Sequence, residues 1–320
     1  MKDRKREKPH KLIRKPVLLL LTALIVQLLL SGCSAAIREA EPTPAPAVTE
    51  EEAETEAVII ADGETIPHYD PSMRGDEGWV QANGALYYLE GGGPVTGLRL
   101  IDGKYYYFDE RGVKAAAVGI DVSTYNEEID WERVREQGIG FAIIRLGGRG
   151  WTSGKIYPDL RCGAYLRGAK KAGLRVGAYF YSTARNEAEA AGEAEAVLKV
   201  LGGLPLELPV FIDLELSGEY PKGRADGLSA SERSAAAEAF CRRIESAGYR
   251  AGVYSGQYYL HSSLDAKALS RYALWLASYT NDGFPPRFRV PFSLWQFTDR
   301  GSVDGVRSRV DMNVLFDGAL

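Results

Sequence analysis

The chain has 320 residues, of which 45% are hydrophobic and 26% charged, an ordinary composition for a globular protein with room for one large domain and additional segments. Its net charge of −4 is unevenly distributed, because residues 1–32 carry +6 and the remainder carries −10. An acidic body lacks the basic face that neutralises phosphates, so we expect no nucleic-acid partner. The three His and three Cys have no zinc-ligand spacing, so we expect no such metal centre and no cofactor.

The N-terminal residues predict a lipoprotein signal peptide over residues 1–32. A positively charged stretch precedes the apolar run V-L-L-L-L-T-A-L-I-V-Q-L-L-L at 17–30, which is short for a helix that spans about 30 Å of hydrocarbon. An uncleaved N-terminal anchor is the alternative. The residues L-S-G-C, which end in Cys33, resemble the bacterial lipobox. This resemblance implies cleavage before Cys33 and lipidation of its sulfur, so we expect an exported protein that is lipid-anchored to the outer face of the bacterial cell membrane and faces the cell wall.

Residues 33–57 predict an acidic linker rich in Pro and Glu. From residue 34 to residue 57 there are seven Glu, one Arg and no aromatic residue. Such a segment repels itself and buries little apolar surface. We therefore expect an extended spacer that holds the body of the protein away from the membrane.

Residues 78–114 predict a small β-hairpin module. The aromatic runs L-Y-Y-L and Y-Y-Y-F each follow a turn signal, N-G at 83–84 and D-G at 102–103, which is typical of hairpins. This pattern resembles the cell-wall-binding repeats of choline-binding proteins and clostridial toxins, although Leu86 and Leu98 stand where those repeats usually have Trp. The resemblance implies binding of wall polymers through aromatic side chains. A β module that packs against the main domain is the alternative, and we do not expect choline recognition.

Eight apolar stretches from residue 117 onward predict strands. They are A-V-G-I-D-V-S (117–123), F-A-I-I-R-L-G (141–147), R-V-G-A-Y-F-Y-S (175–182), L-P-V-F-I-D-L-E (208–215), R-A-G-V-Y-S (250–255), A-L-W-L-A-S-Y (273–279), F-S-L-W-Q-F-T (292–298) and a last one near 309–316. Amphipathic segments typical of helices lie near 130–138, 158–172, 186–201 and 230–247. The near-continuous apolar strands predict a parallel sheet covered on both faces. Residues 117–320 therefore predict an α/β fold, a modified TIM-like barrel of five β-α units and then three strands.

Two alternatives concern this region. An open, doubly wound sheet would fit the first five units, but no Gly-rich phosphate turn follows the first strand. Cys162 and Cys241 lie in helix-like stretches far apart in sequence, which favours two buried free thiols over a disulfide.

Acidic residues follow the apolar part of two predicted strands. Asp121 lies near the end of the first strand, and Asp213 and Glu215 end the fourth. Because residues i and i+2 of a strand point to the same side, with Cα atoms roughly 6.5 Å apart, this pair should project together into the mouth of the barrel. Their repulsion would raise the pKa of one carboxyl group, as a general acid in glycosidic cleavage requires. A solvated strand end, or an ion pair with a nearby Arg, is the alternative.

Flat aromatic side chains also cluster at the predicted strand ends. They are Tyr125, Tyr181, Tyr254, Trp275, Tyr279 and Trp295. Such rings suit the apolar faces of sugars, while some are expected to be core residues. Gln296, beside Trp295, is a further candidate for binding substrate.

Eight short motifs carry a family resemblance. They are G-I-D-V-S (119–123), F-A-I-I-R-L-G-G (141–148), G-A-Y-F-Y-S (177–182), P-V-F-I-D-L-E (209–215), G-V-Y-S (252–255), L-W-L-A-S-Y (274–279), L-W-Q-F-T (294–298) and V-D-M-N-V-L-F (310–316). In this order they resemble glycoside hydrolase family 25, the Chalaropsis-type lysozymes or N-acetylmuramidases. The resemblance covers residues 117–320. It departs from the family at Phe180 and Tyr181, where members often have His.

The resemblance implies a modified β/α barrel that cleaves the β-1,4 bond between N-acetylmuramic acid and N-acetylglucosamine in peptidoglycan. It places the acidic set of the family on Asp121, Asp213, Glu215 and Asp311, with Glu215 as the general acid. The expected partner is the peptidoglycan glycan strand, and we expect a monomer. The resemblance leaves open whether the reaction inverts the anomeric carbon or uses the 2-acetamido group of the substrate, supported by Asp213.

Two other functions are considered. Chitinase-like enzymes of family 18 also end a barrel strand with acids, but their motif is D-x-D-x-E, and Phe211 occupies the additional Asp position. A non-catalytic surface lectin that binds wall glycan is the other alternative, although all four acids of the hydrolase set are present.

Overall fold

The computed structural model describes residues 77–82, 84–216, 223–316 and 318. The predicted signal peptide with Cys33 and the predicted linker lie outside these residues. In the part of the chain that is described, no helix combines the length and apolar character needed to cross a membrane.

The segment predicted as a hairpin module contains two antiparallel units. Strands β1 (Gly78–Ala82), β2 (Ala85–Glu90) and β3 (Gly93–Pro94) form a three-stranded sheet, and β4 (Gly97–Ile101) pairs with β5 (Lys104–Phe108). The turn between β4 and β5 has positive φ at both central residues, 49° at Asp102 and 75° at Gly103, as a two-residue hairpin turn requires. Both predicted hairpins are therefore present.

Eight further strands close into a barrel. They are β6 (Lys114–Val122), β7 (Phe141–Arg149), β9 (Arg175–Ser182), β10 (Val210–Leu214), β11 (Ala251–Gly256), β12 (Ala273–Ala277), β13 (Leu294–Gly301) and β14 (Val310–Phe316). A short strand, β8 (Ile156–Pro158), pairs with the end of β7. Because β6 pairs with both β7 and β14, the sheet closes on itself. The alternative of an open sheet is thereby excluded.

Helices follow the first five barrel strands. They are α1 (Trp131–Glu136) after β6, α2 (Cys162–Lys171) after β7, α3 (Glu187–Leu201) after β9, α4 (Ala230–Ser246) after β10, and α5 (Gln257–Ser262) with α6 (Ala266–Leu269) after β11. The side chains of Asp130, Asn186 and Ser229 each accept a hydrogen bond from the backbone N–H three residues onward, which fixes where α1, α3 and α4 begin. The predicted order of five β-α units and then three strands is confirmed.

The last strand departs from the expected parallel sheet. β14 runs antiparallel to both of its neighbours, β13 and β6. The reason lies in the connection, because β13 ends at Gly301 and β14 begins at Val310. A parallel pairing needs a crossover of about a dozen residues or more. The consequence is that the beginning of β14, not its end, lies beside the end of β6.

Aromatic rings fill the interior of the barrel because glycines on neighbouring strands make room for them. A Cβ atom at Gly119 of β6 would lie 2.5 Å from the ring of Phe141, and one at Gly252 of β11 would lie 2.3 Å from the ring of Phe211. Such distances are too short for any side chain. These rings, with Trp275 and aliphatic neighbours, form the inner core on which the catalytic end of the barrel rests.

Cys162 in α2 and Cys241 in α4 are both buried and free, as predicted. Burial raises the pKa of each thiol, which keeps both cysteines protonated and poorly nucleophilic.

The second hairpin continues the barrel sheet. β5 pairs with β6, and the ring of Tyr107, which is 2% exposed, lies 6.1 Å from Trp295 and 6.4 Å from Phe316. The hydroxyl of Tyr105 donates to the carbonyl of Ser302 at 2.9 Å. The hairpin thus covers β13 and β14 from outside.

This packing predicts that Tyr107→Ala destabilises the barrel. Removing a buried aromatic ring costs about 3 kcal/mol or more, so the free energy of unfolding in urea should fall by that amount. Leu100→Ala, in the same hairpin but at a side chain that is 56% exposed, is the matched control and should change it by less than about 0.5 kcal/mol. Equal effects of the two substitutions would contradict the packing.

Candidate active site

Four carboxyl groups meet in one cavity at the mouth of the barrel. Asp121 comes from the end of β6, Asp213 from β10, Glu215 from the residue just after β10, and Asp311 from the beginning of β14. The cavity has a volume of about 330 Å³. Its lining residues are Asp121, Arg145, Tyr179, Tyr181, Asp213, Glu215, Tyr254, Trp275, Tyr279, Gln296 and Asp311.

Strand alternation and register bring these side chains together. Asp213 pairs in register with Tyr181 of β9 and Tyr254 of β11, so the three lie at one level of the barrel. Leu214, between the two acids, is buried in the outer core instead, as period two requires. The antiparallel β14 places Asp311 directly opposite Asp121.

Asp121 is held by a directed set of hydrogen bonds. Its Oδ2 atom accepts from Nε2 of Gln296 at 2.9 Å and from Nδ2 of Asn313 at 2.8 Å. The Oε1 atom of Gln296 in turn accepts from the hydroxyls of Tyr254 and Tyr279, each at 3.0 Å. Because these hydroxyls donate to the amide oxygen, the amide nitrogen must face Asp121. The network therefore favours the ionised form of this carboxyl group.

The Asn313 side of the network is fixed in the same way. The indole nitrogen of Trp275 donates to Oδ1 of Asn313 at 2.8 Å, which leaves its amide nitrogen facing Asp121. Both amide groups that contact Asp121 are thus oriented by aromatic side chains.

Burial raises the pKa of all four carboxyl groups. It raises the pKa of Asp121 to about 6, against the two hydrogen bonds from Asn313 and Gln296. Burial and the neighbouring charge of Asp121 raise the pKa of Asp311 to about 8. Burial, followed by repulsion from Glu215, raises the pKa of Asp213 well above its usual value. Desolvation by the cavity walls also raises the pKa of Glu215, whose side chain partly reaches the surface, while the nearby hydroxyl of Tyr254 opposes the rise.

Asp213 is in addition incompletely hydrogen-bonded. Its Oδ1 atom is buried and has no hydrogen-bond partner among the described residues. An acceptor of this kind is costly unless a ligand satisfies it. It lies in the cavity, so a polar group of a substrate could reach it.

Arg145 is the cationic side chain that lines the cavity. Its guanidinium bonds to the carboxylate of Asp159 at 2.8 Å and lies 4.9 Å from the centre of the Tyr125 ring. Arg145 lowers the pKa of Asp213, but by less than burial and the other acids raise it. The positive charge is thus shared with Asp159 and does not neutralise the four acids.

The predicted substrate-binding residues fall into three groups. Five of them line the cavity: Tyr181, Tyr254, Trp275, Tyr279 and Gln296. Tyr125 lies outside it, 78% exposed on a short 3₁₀ turn (Thr124–Asn126). Trp295 is 1% exposed and packs outward, and its indole nitrogen donates to the carbonyl of Ser278 at 2.7 Å. Because Trp295 and Gln296 are neighbours in a strand, only one of them can face the cavity.

Three residues of the site were not singled out from the sequence: Arg145, Tyr179 and Asn313. Each had a signal. Tyr179 and Tyr181, and likewise Asp311 and Asn313, are two residues apart in one strand. Arg145 is a single charge in the apolar stretch F-A-I-I-R-L-G, where a buried charge needs a partner.

The position of Phe211 argues against the chitinase-like alternative. Its ring lies inside the barrel, 5.2 Å from Trp275. The position that carries an additional carboxylate in the D-x-D-x-E motif is therefore part of the apolar core.

Among the described residues, no group of three or more His, Cys, Asp or Glu has the arrangement of a metal site.

Comparisons with known proteins assign the barrel to a family. The sequence model described as "Glycosyl hydrolases family 25" matches residues 120–306, more than half of the chain. A cell wall binding repeat matches residues 77–94 and 96–114, which confirms the resemblance seen in the hairpin module.

Individual proteins agree with this assignment. The chain is 31% identical over 235 residues to the "Uncharacterized protein YegX" of Escherichia coli K12, covering 67% of this chain and 78% of that protein. It is 28% identical over 228 residues to "Lysozyme M1" of Streptomyces globisporus, covering 66% of this chain and 72% of that one.

A solved structure is similar in fold as well. The modular autolysin LytC of Streptococcus pneumoniae, solved with a synthetic peptidoglycan ligand, aligns with a TM-score of 0.60 and 25% identity. The alignment covers 74% of this chain but 58% of LytC. Family membership and the lysozyme and autolysin relatives support peptidoglycan hydrolase (muramidase) activity. The chain belongs to glycosyl hydrolase family 25.

Proposed function

We propose that this protein is a lysozyme of the cell surface, an N-acetylmuramidase. It hydrolyses the β-1,4 bond between N-acetylmuramic acid and N-acetylglucosamine in peptidoglycan. The observation that carries the proposal is the pair formed by the buried Asp213 and the more exposed Glu215, which projects into the mouth of a family 25 barrel. One barrel supplies all four carboxyl groups, so a single copy of the chain is sufficient for the reaction.

Glu215 acts as the general acid. The walls of the cavity and of the adjoining groove desolvate the carboxyl group and raise its pKa, although part of the side chain reaches the surface. Glu215 therefore keeps a proton more readily than a Glu surrounded by water. It delivers this proton to the oxygen of the leaving sugar. Because Glu215 and Asp213 are tightly coupled, their two protons leave in steps that belong to the pair.

When the proton shared by the coupled pair is on Glu215, Asp213 is ionised, and Asp213 and Asp121 stabilise the positive charge that develops at the anomeric carbon. The Oδ1 atom of Asp213 has no partner among the described residues and is therefore available to the substrate. Asp121 stays ionised more easily than its neighbours, because Gln296 and Asn313 donate to it. A fixed negative charge in a cavity shielded from water favours an oxocarbenium-like centre.

Aromatic side chains position the sugars. Tyr181, Tyr254 and Tyr279 line the cavity. The hydroxyls of Tyr254 and Tyr279 donate to Gln296, so they can accept hydrogen bonds from the glycan, while the hydroxyl of Tyr181 can donate one. Tyr125, exposed at the rim above Arg145, provides a flat apolar face for a sugar ring.

The N-terminal segments place the enzyme beside its substrate. The lipobox-like L-S-G-C predicts a lipid anchor at Cys33, and the acidic linker predicts a spacer between the anchor and the body of the protein. The cell wall binding repeats support a location at the wall. Together they describe a hydrolase that is attached to the outer face of the membrane and acts outward on the wall.

The first test replaces the general acid. Glu215→Gln should lower turnover of a peptidoglycan suspension by at least about a hundredfold, because the amide cannot donate the proton. Glu128→Gln, an exposed position away from the cavity, is the matched control and should keep full turnover. Mass spectrometry of wild-type products should show N-acetylmuramic acid at the new reducing end. Reducing-end N-acetylglucosamine would contradict the proposal, and binding of sacculi without any release of reducing sugar would support a lectin.

The second test uses the pKa of Asp311, which lies at about 8 in the folded protein against about 4 in an unfolded chain. Between these values the folded state retains a proton that the unfolded chain has released. The free energy of unfolding must therefore fall as pH rises through this window.

Asp311→Asn removes this effect. The variant should exceed wild type in free energy of unfolding by at least about 1 kcal/mol at pH 8 and should match it at pH 4. Urea unfolding at the two pH values measures the difference. Glu128→Gln removes one exposed charge but keeps Asp311, so its free energy of unfolding should fall with pH as that of wild type does and differ from wild type by the same small amount at both pH values. A constant offset for Asp311→Asn at both pH values would count against the electrostatic cause.

The third test concerns the anchor. In cells supplied with a radiolabelled fatty acid, the wild-type chain should carry label and sediment with membranes, whereas Cys33→Ser should carry none. Cys162→Ser, at a buried cysteine of the barrel, should still be labelled. Label on the Cys33→Ser chain would refute lipidation at this site.

A further inference from the structure

A second and larger groove begins at Glu215. Its volume is about 890 Å³, and it extends from Glu215 along α5 to the segment before β13. The side chains that give it its character are Glu215, Tyr258, His261, Arg287, Phe288 and Arg289. Glu215 thus borders two spaces, the acidic cavity on one side and this arginine groove on the other.

The two arginines of the groove are exposed, and neither belongs to an ion pair among the described residues. They flank Phe288, which packs against the outer core. Because Phe288 is anchored, the arginines on both sides of it are held at the groove while their charged ends stay in water. The unpaired positive charge is notable in a chain whose body is strongly acidic.

The groove also offers apolar contact. Tyr258, which is 76% exposed, and Phe288 both line the groove. A site that combines two guanidinium groups with aromatic faces suits an extended ligand with carboxylates and aliphatic portions.

We propose that the arginine groove binds the carboxylate-bearing peptide attached to a muramic acid residue next to the cleaved bond. This inference rests on the proposed function, because it extends the substrate from the glycan to its peptide. The N-acetylated sugars of the strand are otherwise uncharged, so two unpaired arginines contribute little to holding them. The peptide is the anionic part of peptidoglycan that branches from the strand within reach of Glu215.

The position of the groove gives the peptide a defined role. Binding energy gained away from the reacting bond can hold the substrate in register with the catalytic carboxyl groups. Strands that carry peptides should therefore bind more tightly than bare strands. The arginines act as specificity-determining residues and do not take part in proton transfer.

The test compares two substrates with the full-length protein. One is uncross-linked peptidoglycan with its peptides. The other is the same glycan from which an amidase has removed the peptides; because this hydrolysis frees one lactyl carboxylate on each muramic acid residue, that carboxylate is then converted to its amide so that the bare strand is uncharged. The double variant Arg287→Gln/Arg289→Gln should raise KM for the peptide-bearing strands by about threefold to tenfold, as expected for two partly exposed charge contacts. Its KM for bare strands and its kcat on both should stay within twofold of wild type, which also shows that the variant is folded.

A matched control removes two positive charges elsewhere. Arg167 in α2 and Arg175 at the beginning of β9 are exposed and have no ion pair among the described residues. Arg167→Gln/Arg175→Gln should leave KM unchanged on both substrates. The difference between the two double variants should shrink as salt is raised, since salt screens exposed charges.

Three outcomes would overturn the inference. The first is an unchanged KM of the groove variant on peptide-bearing strands, and the second is an equal rise on both substrates. The third is competition by soluble poly(glycerol phosphate) against wild type but not against the groove variant, without a peptide effect, which would assign the groove to a phosphate polymer. Failure of the wild-type protein to cleave either substrate would instead refute the muramidase assignment itself, and the peptide role with it.

Discussion

The structure depends on holding four carboxyl groups together in a small cavity that contains one guanidinium, itself paired with Asp159. Like charges in a poorly solvated space repel strongly, so such a cluster exists only where the surrounding fold prevents its members from separating. The closed barrel does this by fixing the acids at the ends of three strands, β6, β10 and β14. Desolvation, with this repulsion added for Asp121, Asp213 and Asp311, raises the pKa of these acids, and a carboxyl group that keeps its proton is what glycosidic cleavage needs.

The direction of the last strand connects the fold with this chemistry. The short link between β13 and β14 enforces an antiparallel return, and this return brings the beginning of β14 to the mouth of the barrel. Asp311 and Asn313 therefore enter the site from a strand that a fully parallel barrel would have oriented the other way. Asn313 then binds Asp121, so the irregular strand also supports the best-stabilised carboxylate of the cluster.

Much of this arrangement follows from the sequence, and what does not follow has a physical reason. The pair Asp213 and Glu215 was predictable because period two needs no knowledge of neighbouring strands. The choice between Trp295 and Gln296 was not, because alternation says that they face opposite sides but not which side is inside. The role of Asn313 depends on a partner 192 residues away, and pairing at that separation is set by barrel closure and not by any local pattern.

The second hairpin shows how far the support of the site extends. Tyr107 packs on Trp295 from outside the barrel, while the adjacent Gln296 points inward and donates to Asp121. Because Trp295 and Gln296 are consecutive in one strand, packing that holds the backbone at Trp295 also holds the backbone at Gln296. A repeat that resembles a wall-binding module thus clamps, from the outer face, the strand that orients a carboxylate of the active site. The second repeat and the strand whose Gln296 holds Asp121 are therefore parts of one continuous sheet, so a substitution in the packing between them affects both.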